Sequence, residues 1–345
     1  MKKGNRFGIH RVINPVGVLP QAAQKIDHTI ELYDNEILIN VSTLNIDSAS
    51  FTQIKEVCNH DEEKMKQMIL DIVNERGKMQ NPVTGSGGML IGTIEAIGDE
   101  FPDKQLKVGQ KIATLVSLTL TPLNIEEIIK VKLDNDQVEV KAKAIVFASG
   151  IYAVLPEDLP EKLALAALDV AGAPAQVNKL VKPGDTVAIV GAAGKSGVLC
   201  TYQAMKNVGE NGKVIAIVLN DREKQKLIDL NLAHEIVIAN ATEAIDVYEK
   251  IVDITNGSMV DVTINVVNVP NTEMACILIT KDTGVVYFFS MATSFSKAAL
   301  GAEGVGSDVQ MMIGNGYTKN HAELTLNIIR ESDEIRALFT DIYTQ

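Results

Sequence analysis

An apolar β-type run, Val187-Ala188-Ile189-Val190, breaks into Gly191-Ala192-Ala193-Gly194-Lys195-Ser196-Gly197. A helical segment follows from Val198 to Asn207, and a second β-type run extends from Val214 to Leu219. Strand, glycine turn, helix and strand in that order is the context a dinucleotide-binding turn requires. Glycines let the backbone bend sharply and approach a pyrophosphate. The helix N-terminus adds unpaired N–H groups and partial positive charge. The spacing is G-x-x-G-x-x-G; Ala193 stands where G-x-G-x-x-G has its second glycine. Gly191, Ala192, Ala193, Gly194, Lys195 and Ser196 are therefore the expected pyrophosphate contacts. A plain βα turn is the alternative.

Strands and helices alternate downstream. Strands are expected at Glu235–Ile238, Val260–Val267 and Val285–Phe289, with helices at Asp221–Asn231, Glu243–Thr255 and Thr272–Leu278. This alternation predicts a doubly wound parallel sheet, hence an α/β fold. Upstream, to about Pro160, the chain reads mostly as β. Glu36–Val41, Leu90–Ile97 and Val138–Val146 alternate, and one helix is expected over Asp61–Arg76. Glu161–Leu180 and the tail Ala322–Phe339 read as helical.

A chain of 345 residues is long enough for two domains. Its net charge of −12 argues against a nucleic-acid or anionic-membrane partner and is compatible with a small cationic one. No apolar run has the length of a bilayer span. The basic start Met1-Lys2-Lys3 lacks a following apolar stretch, so no secretory signal is expected. The three cysteines, Cys58, Cys200 and Cys276, are far apart, which favours a reducing compartment. The expected location is the cytoplasm.

An N-terminal β region, then Lys182-Pro183-Gly184-Asp185, a strand and the glycine turn resemble the medium-chain dehydrogenase/reductase superfamily. Gly92-Thr93-Ile94-Glu95-Ala96-Ile97-Gly98 and Val108-Gly109-Gln110-Lys111-Ile112 resemble its β-domain signature. The resemblance implies a GroES-like catalytic domain over 1–160 and a Rossmann domain over 161–313. It also implies a segment 314–345 that returns to the catalytic domain. Gly8–Ile13, Gly17–Gln21 and Ile313–Tyr317 resemble a narrower branch of NAD-dependent amine dehydrogenases. Further cofactor contacts implied by the resemblance are Val266, Val267 and Asn268, then Phe289, Ser290 and Met291, and finally Gly314 and Asn315. The superfamily commonly pairs through edge strands, so the run Asp308–Ile313 is expected to support a homodimer or homotetramer.

Many superfamily members hold a catalytic zinc. The ligand regions here read Leu44–Ser50, Gly87-Gly88-Met89 and Ala166–Asp169, without the expected Cys and His. No metal is expected. Removing hydride from an alcohol benefits from a metal that stabilises alkoxide character. An ammonium is far easier to deprotonate, at about 10.4 for lysine against about 15.7 for water. Its neutral lone pair then drives hydride loss, so missing zinc suits an amine. It equally suits a quinone or enoyl reductase using NADPH.

Asp47 and Asp169 stand in the regions that carry metal ligands in zinc-bearing relatives. The resemblance implies that both face the reacting end of the cofactor and serve as catalytic carboxylates toward a small cationic amino acid. The alternatives are a helix cap for Asp47 and a solvated helix face for Asp169. Arg11, with His10, is a candidate for a substrate carboxylate, and Tyr152 for a substrate hydrogen bond. NAD-selective folds place an acid at the end of the second strand; here Val218 occupies it. Asn220, Asp221 and Arg222 are the nearest candidates, so NAD is expected and NADP stays open. A dinucleotide-binding sensor without turnover is the non-enzyme alternative.

Overall fold

A computed structural model describes every residue except 116, 134, 135, 315, 344 and 345. The expected contact Asn315 lies outside the described residues. The chain divides into two compact units, Met1–Asp158 and Leu159–Gln345.

The first unit opens with a 3-10 turn, Ile9–Arg11, and a small antiparallel pair, β1 (Val12–Asn14) and β2 (Lys25–Ile26). Its main elements are β3 (Glu36–Ile46), α1 (Ser48–Val57), α2 (Glu62–Arg76), β4 (Gly88–Ile97) and β5 (Lys111–Thr114). Then come β6 (Leu123–Lys132), β7 (Gln137–Phe147) and β8 (Tyr152–Val154). These six strands form an antiparallel sheet in the order β6-β7-β3-β4-β5-β8. Alternation places Ile37, Ile39 and Val41 in the core. A register shift at Val41–Thr43 then flips the pattern, so Leu44 and Ile46 are buried instead. Helix α2 starts on the cap of Asp61, ends at left-handed Gly77 and buries Met65, Ile69, Ile72 and Val73.

The second unit comprises α3 (Glu161–Leu168), α4 (Gly172–Leu180), β9 (Thr186–Val190), α5 (Lys195–Val208) and β10 (Lys213–Val218). It continues through α6 (Asp221–Asp229), β11 (Glu235–Ile238), α7 (Ala244–Thr255), β12 (Val260–Asn265) and α8 (Glu273–Ile279). It closes with β13 (Thr280–Phe288), α9 (Phe295–Val305), β14 (Gln310–Ile313), α10 (His321–Glu331) and α11 (Asp333–Tyr343). The sheet is parallel, in the order β11-β10-β9-β12-β13-β14. Val187 to Val190 on β9 are completely buried, as a strand covered by helices on both faces requires. Strand order reverses beside β9, between β10 and β12. That switch point is where doubly wound sheets bind ligands.

Two expected helices are each split. Pro174, in the first turn of α4, has no N–H and its ring would clash inside a longer helix, so 161–180 breaks after Leu168. Ser332 caps α11 through the N–H of Ile335, which divides the tail. The segment 314–345, expected to return to the first domain, is grouped with the second unit. There α10 packs on α3, α4 and α5, and α11 packs on α3, burying Leu326, Ile329 and Phe339. No helix is long and apolar enough to cross a membrane among the described residues.

Candidate active site

In the second unit, β9 runs into the turn at Gly191, whose φ of 85° is left-handed. A Cβ on Gly197 would lie 2.1 Å from the Gly191 carbonyl oxygen, so only glycine lets α5 start this close to the turn. Gly194 is the N-cap residue of α5, and no side chain bonds the first-turn N–H groups. It is exposed, with nothing closer than 3.5 Å to where a Cβ would sit. An uncapped fourteen-residue helix with open space at its start can receive an anion.

Beside this turn lies a cavity of about 710 Å3. Of the expected cofactor residues, Gly191, Gly194, Val266, Val267 and Asn268 line it. Asn265 braces that wall: its amide donates to Thr272 at 2.8 Å and its oxygen accepts from the Val267 N–H at 3.1 Å. Ala192 and Ala193 are buried behind the turn. Lys195 and Ser196 begin α5 and are half-buried. Beyond β13, the Phe289 N–H bonds the Asn265 carbonyl at 3.0 Å. Ser290 accepts from the Ala292 N–H at 3.1 Å, and Met291 is exposed.

Asn220, Asp221 and Arg222 follow β10, after Leu219. None of the three lines the cavity, whereas Glu223 does. Asn220 caps α6 by accepting from the Glu223 N–H at 3.0 Å, and the Glu223 carboxylate accepts from the Leu219 N–H at 2.8 Å. An Asn-x-x-Glu spacing at a helix start is a capping-box signature, which would have singled out Glu223 in the sequence. Arg222 faces a separate groove with Gln225 and Glu334.

Asp169 follows α3 and accepts from Lys195 at 2.8 Å; Lys195 also lies over the Tyr343 ring, at 5.5 Å. This carboxylate therefore already holds a cation from the glycine turn.

In the first unit, Asp47 caps α1. Its Oδ1 accepts from the N–H of Ala49 at 3.1 Å, the N–H of Ser50 at 3.4 Å and the hydroxyl of Ser86 at 2.9 Å. All three donors converge on one oxygen. Ser50 Oγ is 2.6 Å from both Thr84 Oγ1 and Ser86 Oγ. Gly88 has a φ of 112°, and a Cβ there would sit 2.0 Å from the Asn45 carbonyl oxygen. The position has no room for a histidine, because β3 and β4 meet there backbone to backbone. Among the described residues, no group of three or more His, Cys, Asp or Glu is placed to hold a metal ion.

Arg11 corrects an expectation. It is completely buried, and all five N–H groups are engaged. Two go to the Glu36 carboxylate at 2.6 and 2.7 Å, and the others to the carbonyls of Asp27, Thr29 and Glu31. It clamps the N-terminal segment and has no donor left for a substrate. His10 joins the same carboxylate through Nε2 at 2.9 Å while Nδ1 accepts from the Asn5 N–H, which fixes the tautomer. Tyr152 gives its hydroxyl proton to Asp103 at 2.8 Å, and burial followed by that contact pushes its pKa up. Its one donor is therefore committed.

The β-sheet unit matches a profile described as the L-erythro-3,5-diaminohexanoate dehydrogenase N-terminal domain, over residues 10–156. The chain is 63% identical, over 99% of its length and 100% of the relative's, to a Fusobacterium nucleatum protein named L-erythro-3,5-diaminohexanoate dehydrogenase. It is 60% identical to the protein of that name from Acetoanaerobium sticklandii, over 99% of each chain. Solved structures are similar at lower identity. A mycobacterial quinone oxidoreductase gives a TM-score of 0.57 at 18% identity, covering 93% of this chain and 92% of that one. A zinc-dependent alcohol dehydrogenase from Streptococcus pneumonia gives 0.53 at 18%, covering 91% and 86%. These last two show the fold alone. By near full-length identity to its named relatives, the chain belongs to the L-erythro-3,5-diaminohexanoate dehydrogenase family.

Proposed function

We propose that this chain oxidises the 3-amino group of L-erythro-3,5-diaminohexanoate with NAD, a reaction of lysine fermentation. With water, the products are 5-amino-3-oxohexanoate, ammonium, NADH and a proton. The observation that carries this reading is identity of 60% or more across the whole chain to two relatives bearing that name.

The turn at Gly191–Gly197 fits a dinucleotide: its helix start is uncapped, Gly194 leaves open space, and the cavity beside it is large. The N–H groups of Lys195 and Ser196 would hold the pyrophosphate, and Val267 and Asn268 would flank the nicotinamide ribose. Bound there, NAD supplies the hydride acceptor. Glu223 would accept from the adenosine ribose 2′-hydroxyl, and its charge would repel a 2′-phosphate. That selects NAD over NADP. Asp47 acts on the amine side. Its exposed carboxylate is held by its cap and would serve as an acceptor for the substrate's ammonium proton. The apolar edge strand β14, with Met311 and Ile313 exposed, supports pairing of two copies.

The test is NADH formation at 340 nm with diaminohexanoate as the sole substrate, alongside NADPH oxidation with quinones. Turnover confined to the quinone assay would replace this reading by a reductase. Tight NAD binding without turnover in either would leave a sensor. For the cofactor, Glu223→Gln should lower the NAD-to-NADP ratio of kcat/KM at least tenfold. An unchanged ratio removes Glu223 from selectivity.

A further inference from the structure

Gly191 and Gly194 line the cavity of the second unit, and Ala193 lies between them in the turn. The Ala193 carbonyl and the Gly194 N–H are the two ends of one planar peptide group. Both ends are held. The Gly194 N–H donates to the Gly191 carbonyl at 3.1 Å, which closes the turn on itself. The Ala193 oxygen accepts from the ammonium of Lys226, on α6, at 3.0 Å. Lys66, Lys206 and Lys250 each pair with a carboxylate. Lys226 pairs with none among the described residues, so its charge stays on the turn.

This bond bears on the helix start in two ways. The N–H groups of Lys195 and Ser196 have no acceptor within α5, and their direction depends on the peptide plane that precedes them. Gly194 has no Cβ to resist rotation of that plane, so something else must fix it. The second effect is electrostatic. The Ala193 oxygen is a partial negative charge beside a helix start open to an anion, and an ammonium on it offsets the repulsion. Helix α6 thus meets the site twice. Glu223 lines the cavity, and Lys226, nearly one turn later, reaches the glycine turn.

We propose that Lys226 is a positioning residue for the dinucleotide, holding the Ala193 carbonyl so that the first N–H groups of α5 stay aimed at the pyrophosphate. The inference rests on the reading of this turn as the pyrophosphate site. Lys226 acts through the turn, so its effect is short-range and survives salt. A charge acting across a distance would be screened.

The test measures binding of ADP and of adenosine to the full chain, in wild type and Lys226→Met, by displacement of NADH followed through its fluorescence. Methionine keeps the helix propensity and removes the donor. Lys226 is half-exposed on a helix, so the variant should melt close to wild type. ADP affinity should fall about tenfold, the size expected when a charged hydrogen-bond donor is lost. Adenosine affinity should stay within about twofold, because adenosine carries no phosphate. The ADP loss should be the same at about 0.05 M and about 0.5 M sodium chloride. An ADP affinity within about twofold of wild type overturns the proposal. So does an equal loss for adenosine, which marks Lys226 as a support of the whole cavity. A loss that disappears at high salt overturns it as well, since only a distant charge remains. In these three outcomes wild type still binds ADP tighter than adenosine, and the pyrophosphate reading of the turn stands. Should wild type bind the two equally, that reading fails and the role of Lys226 fails with it.

Discussion

Asp169 and Lys195 are joined at 2.8 Å, one just after α3 and the other in the first turn of α5. A carboxylate expected to take a substrate ammonium is instead bound to a lysine of the glycine turn. The pair is part-exposed, so it contributes on the order of 0.2–1 kcal/mol. Asp169→Asn should therefore leave kcat within about threefold and change the dinucleotide Kd by no more than about fivefold. Calorimetric titration with NADH and steady-state rates read this directly. A loss of kcat beyond a hundredfold would restore Asp169 to the chemistry.

Gly197→Ala presses a methyl group against the Gly191 carbonyl. Overpacking of this kind typically costs about 1–3 kcal/mol, and here the backbone that must yield is the turn itself. Dinucleotide affinity should fall at least tenfold, with a lowered Tm. Affinity equal to wild type would show that the turn tolerates displacement.

Glu36→Gln leaves the buried Arg11 guanidinium with only the part-exposed Asp27 carboxylate, at 3.8 Å, as counter-charge, a change worth at most about 3–5 kcal/mol. Burial alone pushes the Glu36 carboxyl up, but hydrogen bonds from Arg11 and His10 outweigh it and hold the group below its ordinary range. The stabilisation is present above the unfolded value near 4.5 and disappears as pH falls through the lower folded value. Urea unfolding from pH 7 down to 3 should show wild type and Glu36→Gln converging at the acid end. Parallel curves would contradict this.

Lys78 is completely buried, and its ammonium donates to the Pro20 carbonyl at 2.6 Å. Burial, helped by the charge of Arg76, pushes it down to about 8 from 10.5. Between these values the unfolded chain binds a proton that the folded chain does not. Stability should therefore rise as pH increases from about 8 to 10.5, by at most on the order of 3 kcal/mol from this group. Lys78→Met should lack that rise; measuring the difference between the two proteins cancels the contributions of other lysines and tyrosines.

Much of the second unit was legible because its signals are local. Buried strands such as Val187–Val190 are unbroken apolar runs, and Glu235–Ile238 was bounded correctly. The glycine turn was recognisable for the same reason. Helix α1 was not anticipated beyond its first turn. Ser48-Ala-Ser-Phe-Thr has weak helical propensity, and the burial of Phe51 and Ile54 decides the outcome. Arg11 carries a fork that suits a substrate carboxylate, but the carboxylate it meets is Glu36, twenty-five residues away, a pairing that only folding brings about. Asp47 was placed in two roles, as cap and as catalytic group. The cap is visible in its hydrogen bonds, and the hydroxyl row behind it comes from residues that only folding brings together.

Gly88 gives the fold an evolutionary ratchet. Once β3 and β4 close to the point where a Cβ would meet the Asn45 carbonyl, a histidine cannot return to that turn without prising the strands apart. Replacing Asp47 with cysteine would strip α1 of its cap at the same time. Building a metal site into this turn would thus pass through variants destabilised on both counts, by the clash at Gly88 and by the lost cap. For a designer, rebuilding such a centre in this scaffold begins with the backbone of the β3–β4 pair, and the choice of ligands comes second.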